Sequence, residues 1–156
     1  MKPNSEFCSG MNIERIFPKH VVMKEKRKKV LCLDADPSFI DNQEELLARR
    51  DISRYFFGFT DFGEAIRFVE KQIIPQDEKL HYILLDHKIL GHRISSSLEK
   101  IATLKNFLKK TEIIVCTHEN NDDVRNNVMQ YPFISAFLVK PIPENYIGFL
   151  ITGHSI

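Results

Sequence analysis

Five short apolar runs recur along this chain, at residues 30–33, 55–59, 82–85, 113–116 and 136–139, and each is followed by a stretch with helical spacing. This alternation restricts the fold more than any other property of the sequence. A strand with one wet face alternates apolar and polar residues, whereas these runs are nearly continuous and read as strands buried on both faces. Strands of that kind, separated by helices, imply a parallel sheet with helices packed on both sides.

The intervening segments carry their own signals. Asp36 is placed to cap a helix with Pro37 in its first turn, and Phe39, Ile40, Leu46 and Leu47 share one face as far as Arg50. Asp61 with Glu64 resembles a capping box, ahead of a stripe of Phe62, Ala65, Ile66, Val69 and Ile73 that Pro75 ends. Ser95, Ser96 and Ser97 offer caps for a third helix with the inner stripe Leu98, Ile101, Leu104 and Leu108. Residues 120–131 are more polar, with only Val124, Val128 and Tyr131 spaced for burial, so the fourth helix is expected to be the least firmly held. Pro141 and Pro143 bracket a turn before a last helix carrying Ile147, Leu150 and Ile151. The expected architecture is a flavodoxin-like, doubly wound α/β sheet of five parallel strands in the order 2-1-3-4-5.

A chain of 156 residues with 43% hydrophobic residues has room for one such domain, placed here at 29–156. Residues 1–28 lack a clear period, end in a basic run and read as a mobile arm. Twenty-two basic against 21 acidic side chains leave a net charge of +1, which argues for neither nucleic acid nor a membrane surface as a partner. Cys8, Cys32 and Cys116 show no paired spacing, and no run is long enough to cross a bilayer or to serve as a signal peptide. The expectation is a soluble protein of the reducing cytoplasm.

The chemistry gathers at strand ends. The first, third, fourth and fifth strands finish on Asp34, Asp86, Thr117 and Lys140, and parallel strands bring all four to one edge. In the order 2-1-3-4-5, Asp34 and Asp86 face each other across the switch point. Close carboxylates repel unless a cation or a shared proton intervenes, and oxygen ligands with a hard cation suggest Mg²⁺. A lysine and a hydroxyl beside them suit a phosphoryl group, so the residue types point to phosphoryl chemistry on a carboxylate.

The same residues carry a resemblance. Leu33-Asp34-Ala35-Asp36-Pro37, Phe62-Gly63-Glu64-Ala65, Leu84-Leu85-Asp86 with Gly91, Ile114-Val115-Cys116-Thr117 and Phe137-Leu138-Val139-Lys140-Pro141 together resemble the receiver domains of two-component response regulators, from about Lys29 onward. The resemblance implies that Asp86 accepts a phosphoryl group from the phosphohistidine of a histidine kinase or phosphotransfer protein. It implies Mg²⁺ held by Asp34, Asp36, Asp86 and the backbone carbonyl of Lys88, and Lys140 paired with the phosphoryl group beside a cis Lys140-Pro141 bond. Thr117 and Phe137 would then form the switch that remodels the fourth helix, fifth strand and fifth helix for a downstream protein target or for self-association. No enzymatic activity beyond weak self-dephosphorylation is implied.

The sequence also departs from that pattern. Ala35 stands where a second, metal-binding acid is usual, Leu90 replaces a proline, Lys88 puts an ammonium two residues after the acceptor, and His118 takes the place of a small residue. These departures predict weakened or Mg²⁺-independent phosphorylation. They also raise a receiver-shaped module that signals without phosphorylation. A rival from another class is a haloacid-dehalogenase-type phosphatase, since Asp34-Ala35-Asp36-Pro37-Ser38 resembles its nucleophile motif, with Asp34 as nucleophile and Asp36 as general acid. Against it, a helix beginning at Pro37 leaves no room for a flap, no acidic pair follows Lys140, and Asp86 has no role. A transition-metal site at His87, His92 and His118 has no firm ligand spacing behind it.

Overall fold

A computed structural model describes residues 26–91, 94–106, 108, 110–118 and 121–153. Five strands form one sheet: β1 (Val30–Leu33), β2 (Phe56–Phe59), β3 (Tyr82–Asp86), β4 (Glu112–Thr117) and β5 (Ile134–Val139). All neighbours pair in parallel, in the order β2-β1-β3-β4-β5. The helices are α1 (Pro37–Ala48), α2 (Phe62–Phe68), α3 (Ile94–Lys105), α4 (Asp122–Met129) and α5 (Tyr146–Thr152), with one further helical turn at His87–Leu90. The expected doubly wound α/β architecture is therefore present. The arm read over residues 1–28 lies outside the described residues except for 26–28, and His92 also lies outside them.

The alternating direction of strand side chains divides the core into two layers. Leu31 and Leu33 of β1, Ile83 and Leu85 of β3, and Ile113 and Val115 of β4 pack with Ala65 of α2, Val69 just beyond it, Leu98 and Ile101 of α3 and Val128 of α4. Val30, Cys32, Leu84, Ile114 and Cys116 face the other way, against Ile40 and Leu47 of α1 and Ile147 and Ile151 of α5. Burying each large aliphatic side chain contributes roughly 1.5–3 kcal/mol, so both faces hold the sheet.

The caps follow the sequence in two cases and depart from it in a third. Asp36 accepts from Ser38 N at 2.9 Å to start α1, and Asp61 accepts from Glu64 N at 2.9 Å to start α2. The serines at 95–97 do not cap α3, which already begins at Ile94 and takes them into its first turns. The α2 stripe runs on through a π-helical stretch, Val69–Ile73, that keeps Val69 and Ile73 buried. In α4 only Val128 is fully buried, as the polar sequence of that helix predicts.

Candidate functional site

Strand register builds the site. Leu33 pairs with Leu85, so the next residues, Asp34 and Asp86, stand level at the carboxyl ends of adjacent central strands. Asp86 pairs with Cys116, and Thr117 pairs with Val139, which sets Lys140 one residue past the end of β5. The backbone N–H of Lys140 donates to the Thr117 carbonyl at 2.7 Å, and the Lys140-Pro141 bond is cis. From there the lysine side chain reaches back across the sheet edge. Its ammonium lies 2.5 Å from Asp34 Oδ2 and 3.6 Å from Asp86 Oδ1, and all three side chains are at most 7% exposed.

The backbone completes the arrangement. Ala35 N–H donates to Asp86 Oδ2 at 3.2 Å, Lys88 N–H to Asp86 Oδ1 at 3.4 Å, and Asp36 N–H to Asp34 Oδ1 at 2.9 Å. Every oxygen of the two buried carboxylates thus faces a donor, as buried charges require. Burial pulls the Lys140 ammonium toward its neutral form, but the hydrogen bond to Asp34 and the charges of Asp86 and Asp34 outweigh it and hold the pKa above its ordinary value. The ring of Phe39, in the first turn of α1, lies 5.5 Å from the same ammonium. Burial also pushes up the thiols beneath the site, that of Cys116 to about 12, so neither Cys32 nor Cys116 offers a thiolate.

The structure thus brings together Asp34, Asp86 and Lys140, with buried Thr117 on the neighbouring strand end. It does not bring in the side chain of Asp36, which is exposed and caps α1. The Lys88 carbonyl accepts from Gly91 N–H at 3.1 Å within the helical turn after β3. His118 and the Lys88 side chain are exposed, His87 is half-buried, and no three His, Cys, Asp or Glu residues gather as metal ligands among the described residues. Phe137 is half-buried on β5, its ring 5.2 Å from the Arg125 guanidinium of α4. The residues that sequence reasoning missed here are Phe39, read only as part of a helix face, and Arg125.

No protein-family model matches the chain, and no curated protein matches it. Solved structures do. A response regulator from Burkholderia pseudomallei, with a phosphorylated aspartic acid, a calcium ion and citrate, is 21% identical, with a TM-score of 0.57 over 80% of this chain and 66% of that one. A CheY-like receiver domain protein from Methanospirillum hungatei is 18% identical, with a TM-score of 0.59 over 78% of this chain and 88% of that one. A response regulator receiver protein from Dyadobacter fermentans is also 18% identical, with a TM-score of 0.61 over 74% of this chain and 88% of that one. The chain has the receiver fold.

Within the receiver fold, the carboxyl edge between β1 and β3 is the switch point at which open α/β sheets bind ligands, and the Asp34–Lys140–Asp86 group sits there. The fit of a divalent cation can be tested on the donors. Mg²⁺ takes six oxygens at about 2.0–2.1 Å, several of them from water, and relies on protein carboxylates for opposing charge. Here the residue between Asp34 and Asp36 is an alanine, the Asp36 side chain is spent on a helix cap, and the Lys140 ammonium already lies against both remaining carboxylates, Asp34 and Asp86. The residues present do not fit the metal.

Proposed function

We propose that the chain is a receiver-type signalling domain in which Asp86 accepts a phosphoryl group from the phosphohistidine of a histidine kinase or phosphotransfer protein. The observation that carries this reading is the buried Asp34–Lys140–Asp86 group at the switch point of a receiver fold. An oxygen of the Asp86 carboxylate forms the new P–O bond, the P–N bond to the donor imidazole breaks, and the imidazole leaves. Lys140, 3.6 Å from Asp86 Oδ1, neutralises the incoming phosphoryl oxygens. The Ala35 N–H, 3.2 Å from Asp86 Oδ2, holds the carboxylate in place.

The gain of roughly 1.5–2 negative charges then biases a two-state surface. Thr117 donates its hydroxyl to the phosphoryl group, Phe137 turns, and the face of α4, β5 and α5 changes for a downstream protein. Those three elements carry exposed Met129, Val139 and Phe149, which suits protein contacts, including self-association. Signalling in the cytoplasm without direct binding of nucleic acid follows from this reading, and among the described residues no helix is long and apolar enough to cross a membrane.

A second reading, a receiver-shaped module that signals without phosphorylation, is favoured by Ala35, which leaves the carboxyl edge one acid short. The phosphatase reading meets a specific obstacle, because α1 starts at Pro37 with Asp36 as its cap and leaves no chain for a flap. Intact mass after incubation with acetyl phosphate or a phosphohistidine donor separates the three. One phosphoryl adduct, lost in Asp86→Asn, is the expected result. No adduct from either donor leaves the interaction module, and an adduct lost only in Asp34→Asn, or steady turnover of a phosphomonoester, establishes the phosphatase.

A further inference from the structure

We propose that Lys140 replaces the divalent cation in this chain, so that the unphosphorylated site is complete without metal and excludes it. The inference rests on the carboxyl edge being the working site, not on phosphoryl transfer itself.

Two observations carry it. The first is geometric: the Lys140 ammonium lies 2.5 Å from Asp34 Oδ2 and 3.6 Å from Asp86 Oδ1, against both buried carboxylates that this edge offers to a cation. It is held there from outside the pair by the Phe39 ring, 5.5 Å away, and by the Lys140 N–H to Thr117 carbonyl bond that ties β5 to β4. The second is charge. Two buried carboxylates and one ammonium leave a single net negative charge, and a dication beside them would turn it into a net positive charge in a largely desolvated site. An acid at position 35 would restore neutrality with the metal bound. In its place this chain has Ala35, whose methyl side chain supplies neither the charge nor the oxygen ligands of that acid. Asp36 and the Lys88 carbonyl do not compensate, since the one caps α1 and the other accepts from Gly91.

The test is thermal unfolding of the full chain, with and without MgCl₂, MnCl₂ or CaCl₂, on wild type, Ala35→Asp and Lys140→Met. A cation bound with a Kd of about 1 mM and present in tenfold excess raises Tm by several degrees in a domain of this size. Wild type is expected to show no saturable rise, and amide NMR shifts around Asp34 and Asp86 are expected not to move with metal. Ala35→Asp, at an exposed position that accepts a carboxylate without strain, is expected to gain a saturable rise. Lys140→Met is expected to lose stability and to recover part of it with metal. A saturable response of wild type, or an Ala35→Asp variant as indifferent as wild type, would overturn the proposal, and neither result depends on whether Lys140→Met folds. If metal leaves wild type unmoved and no phosphoryl adduct forms, the phosphoacceptor reading fails while this one stands.

Discussion

Removing one member of a buried ion pair costs more than the pair contributes, because the survivor stays charged and desolvated. Lys140→Met leaves Asp34 and Asp86 without a cation and is expected to cost about 3–5 kcal/mol in urea denaturation at neutral pH. Asp86→Asn removes one of two neighbouring charges, keeps the Asp34–Lys140 contact and retains a side-chain oxygen for the Ala35 N–H. It is expected to unfold within about 1 kcal/mol of wild type. The contrast between the two variants measures how far the site depends on its internal cation. Asp34, Asp86, Thr117 and Lys140 were legible because each ends an apolar run, and parallel strands place such ends together. The Phe39 contact and the Ala35 N–H were not legible. The first depends on how the end of β5 approaches α1 across the sheet, a long-range fact, and the second is a backbone group that no residue type announces.

Elements give sharper tests of assignment. If Asp36 caps α1, Asp36→Ala costs about 1 kcal/mol, while Asp36→Ser, which keeps a side-chain acceptor for the Ser38 N–H, costs almost nothing. A metal-ligand role would instead make both variants alike in their response to added cation. Gly58 of β2 sits where a Cβ would lie 2.6 Å from Ile40 Cγ2 and 3.0 Å from the Phe56 ring, so α1 approaches the strand through the missing side chain. Gly58→Ala is expected to cost about 1–3 kcal/mol by forcing the Ile40 side chain from its place, read as a fall in the urea midpoint. The strands and helices were largely visible in the sequence through their periods. Differences arose where local signals were redundant or weak: three consecutive serines could not fix where α3 begins, and β5 extends back to Ile134 through residues whose pairing with β4 passes a register shift at Ile113/Ile114.

At the scale of the molecule, the end of the sheet opposite the carboxylates is closed by a clasp. Lys29 N–H donates to His81 Nδ1 at 3.0 Å, its carbonyl accepts from His81 and Tyr82, and its ammonium lies 2.6 Å from Glu78. Partial burial, then the charges of Lys79, Lys28, Lys26 and Lys29, hold the His81 pKa below its ordinary value. The unfolded chain therefore binds a proton on His81 that the folded chain resists, and the contribution is present above pH about 6.5 and lost as pH falls toward the lowered folded value. Urea midpoints of wild type are expected to decline more steeply than those of His81→Gln between neutral and mildly acidic pH. The doubly wound order itself was readable because alternation, parallel pairing and right-handed crossovers leave few arrangements. On the same side as the clasp, Lys28 N–H donates to the Ile151 carbonyl at 2.9 Å, so the chain enters β1 beside the point where it leaves α5. The folded unit is thus a nearly closed circuit whose entry and exit share one small patch, far from Asp86. Neighbouring ends of this kind are the geometry that insertion into a host loop or circular permutation requires, and here they lie at the edge opposite the carboxylates.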